Sequence, residues 1–216
     1  MIADPAALAG LVTREVRTGS RAGATTRIAV ARRLYPTDQA DLWDAVTNAE
    51  RIPRWFVPVS GELVLGGHYQ LEGNAGGVVE RCEAPSEFAV TWEMGPMVSW
   101  LEVTLSAVDD GTVLELVHEA PVDPEMWGQY GPGAVGVGWD LCLLGVGMYV
   151  AGDAVPNAPA EADAFRTSVE GTEFIRRSGA GWREAAIADG DEADAAREAA
   201  ERTIAAYTAP VDGHSS

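Results

Sequence analysis

Six short runs of alternating apolar and polar residues follow one another between positions 57 and 118, with turn residues between them. Because the side chains of a strand point alternately to its two faces, this pattern predicts antiparallel strands with one buried face and one face in water. The turn Asp109-Asp110-Gly111 predicts a hairpin between the last two strands. The predicted strands are 57–65, 68–72, 78–83, 87–94, 98–108 and 112–119.

The segment 131–152 follows the predicted strands and carries seven glycines and a single charged residue, Asp140. Its length approaches that of a membrane span, but an acid near the middle of a span is costly in lipid. Trp139, Leu143 and Val146 recur at helical spacing, and the other faces of the segment are apolar as well. A helix that is apolar nearly all round is buried, so we predict a core helix that the sheet grips.

Three segments are predicted along the chain. Residues 1–23 are expected to form an N-terminal helical arm and linker, residues 24–152 the main domain, and residues 153–216 a helical extension. The main domain adds a strand at 25–34 and two short helices before the meander. The predicted helices outside the main domain are 6–16, 161–178, 182–188 and 191–207. The expected fold is α+β, with a curved antiparallel sheet of about six to seven strands wrapped around a long C-terminal helix.

The charge of the chain excludes several classes of partner. With 33 acidic residues against 15 basic ones, the formal net charge is −18. Such a field argues against a nucleic-acid binder and against docking on anionic membranes. Two cysteines are too few for a disulfide framework, and the N-terminus lacks the basic start of a signal peptide. We therefore expect a reduced, cytoplasmic, soluble protein.

Several sequence motifs resemble those of the SRPBCC, or START-like, superfamily, whose members have the helix-grip fold. Within this superfamily, they are most similar to the bacterial homologues of the activator of heat-shock protein 90 ATPase. The resemblance covers roughly residues 24–152. The motifs that carry it are RRLYP (32–36), LWDAVT (42–47), AERIPRWF (49–56), GELVLGGHYQLEGNAGG (61–77), RCEAP (81–85), VTWE (90–93) and WGQYGPGAVGVGWDLCLLG (127–145). The resemblance implies a fold with a ligand-accessible cavity. It implies no defined reaction, because the superfamily includes lipid and hormone carriers, aromatase/cyclases and co-chaperone domains.

A curved sheet and one helix do not fill each other completely, so we expect an apolar cavity between them. Large aromatic side chains set the shape of such a cavity, although they also serve simply as core. Trp100 is included among them although its position on the strand alternates with that of the apolar residue Leu101. The candidate ligand-binding residues are Trp55, Tyr69, Trp92, Trp100, His118, Trp139, Asp140 and Leu143.

Two of these candidates carry titratable groups, and each has a structural alternative. His118 alternates with apolar residues and is either a hydrogen-bonded core histidine or a polar handle and general acid/base for a ligand. Asp140 must find partners or become neutral in its apolar surroundings. It is either paired, with Arg54 or Arg81 or the backbone, or an acid of raised pKa at the cavity wall.

The remaining motifs are interpreted as structural. The G-x-G-x-x-G match at 131–136 lacks the preceding strand of a dinucleotide-binding unit, so we interpret its glycines as positions of close approach between helix and sheet, which also leave room for a cavity. Cys82 and Cys142 are interpreted as small apolar residues. Three histidines without metal-ligand spacing predict no metal site. We expect no cofactor and no assigned catalytic residue.

Three functions remain open from the sequence. The first is a protein that binds a hydrophobic small molecule between sheet and helix. The second, by resemblance alone, is a co-chaperone in the stress response with a chaperone partner, which predicts an exposed apolar patch. The third is an enzyme of the cyclase or hydrolase kind, for which His118 and Asp140 are the only plausible pair. A homodimer is possible in each case.

Overall fold

Eight antiparallel strands form one open sheet in the computed structural model, which describes residues 5–210 and the side chains of residues 7–210. The spatial order is β1-β2-β8-β7-β6-β5-β4-β3, so the two ends of the meander lie far apart. The strands are β1 Val12–Arg21, β2 Ala24–Tyr35, β3 Val59–Gly61, β4 His68–Leu71, β5 Gly76–Glu83, β6 Glu87–Met94, β7 Met97–Val108 and β8 Gly111–Pro121. The helices are α1 Pro5–Gly10, α2 Gln39–Thr47, α3 Pro124–Tyr130, α4 Gly133–Val150, α5 Pro159–Thr167, α6 Val169–Ala188 and α7 Ala193–Thr208, with a 3-10 turn at Ile52–Arg54.

The predicted alternation is confirmed in the central strands. Leu101 and Val103 of β7 are buried, and so are Leu114 and Leu116 of β8, whereas the residues between them are half-exposed. These inward side chains form the floor on which α4 lies. The predicted α+β fold is therefore confirmed, with one strand more than the sequence predicts.

The additional strand corrects the prediction for the N-terminus. Residues 12–21 form β1, which pairs along its whole length with β2, where the sequence predicts the end of a helix and a linker. Ala22 and Gly23 both have positive φ, as in the two-residue turns that match the twist of a hairpin. Helix propensity is a weak preference over so short a segment, and the ladder to β2 outweighs it. Residues 1–4 of the predicted arm lie outside the described residues.

The extension also differs from its prediction in two helix boundaries. The predicted helix 161–178 is broken at Ser168, whose hydroxyl accepts a hydrogen bond from the Gly171 amide and caps α6. The predicted break before Trp182 is absent, since α6 continues to Ala188. Phe174, Ser178 and Trp182 follow at intervals of four residues and are all buried, so one continuous face holds this helix together. Residues 211–216 lie outside the described residues.

The long helix α4 is covered on two sides. Trp139, Leu143 and Val146 face the sheet, whereas Leu144 and Met148 pack against the extension. By length and composition α4 is apolar enough to cross a bilayer, but 56% of it is buried inside the fold. It is the core helix of a soluble domain, as its all-round apolar sequence predicts.

The glycines at the start of α4 serve the extension, which corrects the sequence interpretation of an approach to the sheet. A Cβ on Gly136 would lie 2.3 Å from the Trp182 ring, and one on Gly138 would lie 3.0 Å from the Tyr207 hydroxyl. The absence of side chains at these positions therefore lets α6 and α7 dock closely on α4.

Candidate functional site

An apolar space of about 170 Å³, here called the inner cavity, lies between the sheet and α4. Its walls come from six strands, β3 to β8, from one face of α4, from the end of α2 and from the 3-10 turn with the segment after it. The residues on these walls include Trp55, Phe56, Tyr69, Leu71, Val79, Phe88, Val90, Trp92, Leu101, Val103, Leu114, Leu116, Trp139, Cys142, Leu143 and Val146. This lining presents aliphatic and aromatic surface with few polar atoms to any molecule in the cavity.

A second and larger space of about 600 Å³, here called the outer chamber, adjoins the inner cavity. It lies along the other edge of α4, where Gly138, Leu141 and Gly145 form part of its wall. The opposite wall comes from the extension. The extension residues on this wall are Val155, Pro156, Asn157, Ala162, Phe165, Arg166 and Tyr207.

Three rings form a cluster at the border of the two spaces. The ring centroids of Trp92 and Trp139 lie 4.9 Å apart at an angle of 62°, and those of His118 and Trp139 lie 5.5 Å apart at 90°. Edge-to-face packing of this kind stabilises aromatic pairs beyond the area that they bury. The cluster fixes the surface that both spaces present at their border.

A chain of hydrogen bonds holds His118 in one form. The indole nitrogen of Trp139 donates to Nδ1 of His118 (3.0 Å), and since an indole only donates, Nδ1 carries no proton. Nε2 then carries the proton and donates to the Ser99 hydroxyl (2.8 Å), which donates to the Trp92 carbonyl (3.0 Å). Burial lowers the pKa of His118 to about 4. His118 is therefore a neutral residue that positions Trp139, with neither ring nitrogen left for a ligand.

Six of the eight candidate residues lie on the walls of these spaces. Trp55, Trp92 and Trp139 border both spaces, while Tyr69 and Leu143 border the inner cavity, and His118 the outer chamber. Their contact with a ligand stays a prediction.

Trp100 does not line either space, contrary to the prediction. It lies on the outer face of β7, where the guanidinium of Arg21 stacks over its ring at 4.1 Å. Its neighbour Leu101 is buried on the inner face, and because successive side chains of a strand point to opposite faces, Trp100 points outward.

Asp140 is fully buried but points away from both spaces, which corrects its placement at the cavity wall. Its Oδ2 accepts hydrogen bonds from Arg14 Nε (2.7 Å), from Trp182 Nε1 (3.1 Å) and from the Ser178 hydroxyl. The partner is Arg14 of β1, where the sequence suggests Arg54 or Arg81. Burial raises the pKa of Asp140, and Arg14, Ser178 and Trp182 partly offset this effect. The residue joins β1, α4 and α6.

His118 and Asp140, the pair that the sequence suggests for acid–base chemistry, have different partners on different sides of α4. Asp140 follows Trp139 directly, so its side chain points about 100° further round the helix than the indole that binds His118. Among the residues that the structure describes, no group of three or more His, Cys, Asp or Glu side chains is placed to hold a metal ion.

Several wall residues are absent from the eight candidates that the sequence predicts. Phe56 and Phe88 lie in apolar runs whose inward faces are readable from alternation or helix spacing. Asn157, Arg166 and Tyr207 belong to the extension, and no sequence pattern connects them to the sheet. Their position depends on the docking of α5 and α7 on α4.

Comparison with known proteins identifies relatives of this arrangement. The family model described as Activator of Hsp90 ATPase homolog 1-like protein matches residues 36–145. The crystal structure of CalU16 from Micromonospora echinospora is 29% identical, covers 83% of this chain and 99% of CalU16, and has a TM-score of 0.64. The solution structure of CalU16 is 31% identical, covers 83% of this chain and 97% of CalU16, and has a TM-score of 0.66.

A more distant structural relative shows the fold alone. EF2215 from Enterococcus faecalis is 14% identical and covers 82% of this chain and 92% of its own, with a TM-score of 0.55. No curated protein sequence matches the chain at a significant level. The structural matches confirm the predicted helix-grip fold.

Proposed function

The chain belongs to the family of Activator of Hsp90 ATPase homolog 1-like proteins, and from this premise we propose that it binds an apolar or aromatic small molecule in the inner cavity. The observation that carries the proposal is the combination of an apolar lining with polar groups already satisfied inside the protein. Trp55 donates to the Ala45 carbonyl and Tyr69 to the Thr91 carbonyl, each at 2.8 Å. A ligand without hydrogen-bonding groups therefore leaves no wall partner unsatisfied.

The size of the inner cavity sets the size of the group that it takes. An apolar cavity of roughly 150 Å³ is known to hold benzene and to stay dry when empty. At about 170 Å³, the inner cavity accommodates a single aromatic ring or a short hydrocarbon.

Cytoplasmic location is part of this proposal and is supported by the free thiols of Cys82 and Cys142.

Toluene is the probe that tests the inner cavity. We expect it to shift the indole N–H signals of Trp92 and Trp139 in a ¹H–¹⁵N NMR spectrum. In Val103→Phe the new ring fills part of the cavity, so these shifts shrink at least fivefold. In the control Thr104→Phe the ring lies on the opposite face of β7, and the shifts persist. Equal toluene shifts in both folded variants would contradict the proposal.

A second candidate function rests on the description of the family itself. As an activator of an Hsp90 ATPase, the protein would need an exposed apolar surface, and the hairpin between β6 and β7 exposes Met94, Met97 and Val98. The test is the ATPase rate of a bacterial Hsp90 with and without this protein. Stimulation that Met97→Glu abolishes would support this function, and an unchanged rate with the wild-type chain would exclude it.

A further inference from the structure

We propose that the ligand extends from the inner cavity into the outer chamber and carries an anionic group, a carboxylate or sulfonate, that Arg166 binds. This inference rests on the proposed function and names the chemical class of its ligand. An amphipathic organic acid with an aromatic or hydrocarbon body fits this description.

The first argument is size. Ligand sites in proteins commonly occupy roughly 300–1,000 Å³, and the inner cavity alone is below this range. The outer chamber of about 600 Å³ falls within it. Five side chains border both spaces, so the spaces are direct neighbours and a ligand in one contacts residues that also line the other. The shared wall residues are Trp55, Phe56, Trp92, Trp139 and Cys142.

The second argument is the origin of the chamber wall. The family match ends at residue 145, whereas one side of the outer chamber is built from residues 155–166 and Tyr207. Two hydrogen bonds fix this wall in place: Asn157 donates to the Phe56 carbonyl (3.2 Å), and the Tyr207 hydroxyl donates to the Ala134 carbonyl (2.9 Å). The extension therefore adds a binding surface to the family fold.

The third argument is charge. Arg166 is the one cationic side chain among the described residues that line either space, and no aspartate or glutamate lines them. The Arg166 guanidinium therefore favours an anion over a cation at this wall, although the chain as a whole carries a net charge of −18. The position of Arg166 between apolar walls matches an anionic end joined to an apolar body.

The hydrogen bonding of Arg166 leaves donors for a ligand. The guanidinium has five N–H groups, and its partners are the Asp163 carboxylate, one helical turn away, and the Tyr207 carbonyl at 3.4 Å. The side chain of Asp163 is 43% exposed, against 22% for Arg166. The carboxylate therefore binds from the solvent side, and a second anion is able to approach from the chamber side.

Two dyes that differ in one charged group test the proposal. The probes are 8-anilinonaphthalene-1-sulfonate and its neutral counterpart N-phenyl-1-naphthylamine, with the dissociation constant of each measured by fluorescence titration. In Arg166→Gln we expect the sulfonate dye to bind about tenfold more weakly, because a charge-assisted hydrogen bond is lost. The neutral dye should change less than about twofold. The control Arg176→Gln removes the same charge from an exposed part of α6 and should leave both dyes unaffected.

The outcomes separate this inference from the proposed function. Equal affinity for the sulfonate dye in Arg166→Gln and Arg176→Gln would overturn the anionic class alone. Unchanged binding of both dyes in Val103→Phe would overturn binding in the inner cavity. A near-ultraviolet circular dichroism spectrum like that of the wild type shows that each variant is folded, so that dye binding reports the site.

Discussion

The residue with the most constrained chemistry at the site is His118. Both of its ring nitrogens are engaged, one as acceptor from Trp139 and one as donor to Ser99. Protonation would place an N–H on Nδ1 facing the indole N–H, and the imidazolium would be buried. The fold therefore selects the neutral imidazole, and the pKa of about 4 is the consequence.

This selection predicts a pH dependence of stability. The unfolded chain has a histidine pKa near 6.5, so below that pH the unfolded state binds a proton that the folded state refuses. The contribution of His118 is intact above pH 6.5 and is lost as the pH falls towards 4. Between pH 7.5 and pH 5 we expect a loss of about 2 kcal/mol from this residue. Urea unfolding of the wild type and of His118→Gln at both pH values measures it.

The comparison with His118→Gln isolates the histidine. A glutamine amide offers one acceptor and one donor but does not titrate in this range. Other groups contribute equally to both proteins, so the difference between their pH dependences belongs to His118. Identical slopes for both proteins would refute the assignment of a neutral, buried His118.

Single residues also show where sequence reasoning ends. Alternation with Leu114 and Leu116 was sufficient to place His118 on the inner face. It did not identify Ser99 or Trp139 as partners, since those contacts depend on the strand register and on the rotation of α4. Asp140 stands out in the sequence as a charge among apolar residues. Its partner Arg14 is 126 residues away and lies on a strand that the sequence predicts as helix and linker.

At the scale of elements, α4 is shaped by what docks on it from both sides. Its apolar composition predicts burial, and the structure confirms this. The glycines do not reveal their neighbours in the sequence, because a missing side chain gives no sign of which residue occupies the space. The ring of Trp182 packs directly against Gly136, so the start of α4 is a docking surface for α6.

Substitution of Gly136 by alanine tests this role of the helix. Alanine favours a helix over glycine by about 1 kcal/mol, so by propensity alone the variant would be more stable. The new Cβ would lie 2.3 Å from the Trp182 ring, and we expect a net loss of about 1–3 kcal/mol. In Gly128→Ala, on α3, the Cβ meets nothing within 4 Å, and stability should be unchanged or higher. Urea denaturation gives both values, and a stabilised Gly136→Ala would contradict the packing argument.

At the scale of the whole molecule, the extension is continuous with the core. The sequence predicts a boundary near residue 153 between the main domain and a helical extension. In the structure, Phe174, Ile175 and Trp182 of α6 are buried at 1%, 0% and 1% exposure. Asp140 of α4 also accepts hydrogen bonds from Arg14 on the N-terminal strand β1 and from Ser178 on the extension helix α6. From these contacts we expect the sheet, the long helix and the extension to unfold as one cooperative unit.

Cooperativity of this kind is measured by Trp182→Ala. The variant removes a buried ring that contacts Gly136 and donates to Asp140, and we expect it to lower the free energy of unfolding by about 3–5 kcal/mol. Because the extension supports α4, far-ultraviolet circular dichroism and tryptophan fluorescence should lose their signals in one transition at the same lowered urea midpoint. The neighbouring Arg183→Ala changes a surface residue and should stay within about 0.5 kcal/mol of the wild type. A two-step transition, with the sheet retaining the wild-type midpoint, would instead make the extension an independent domain.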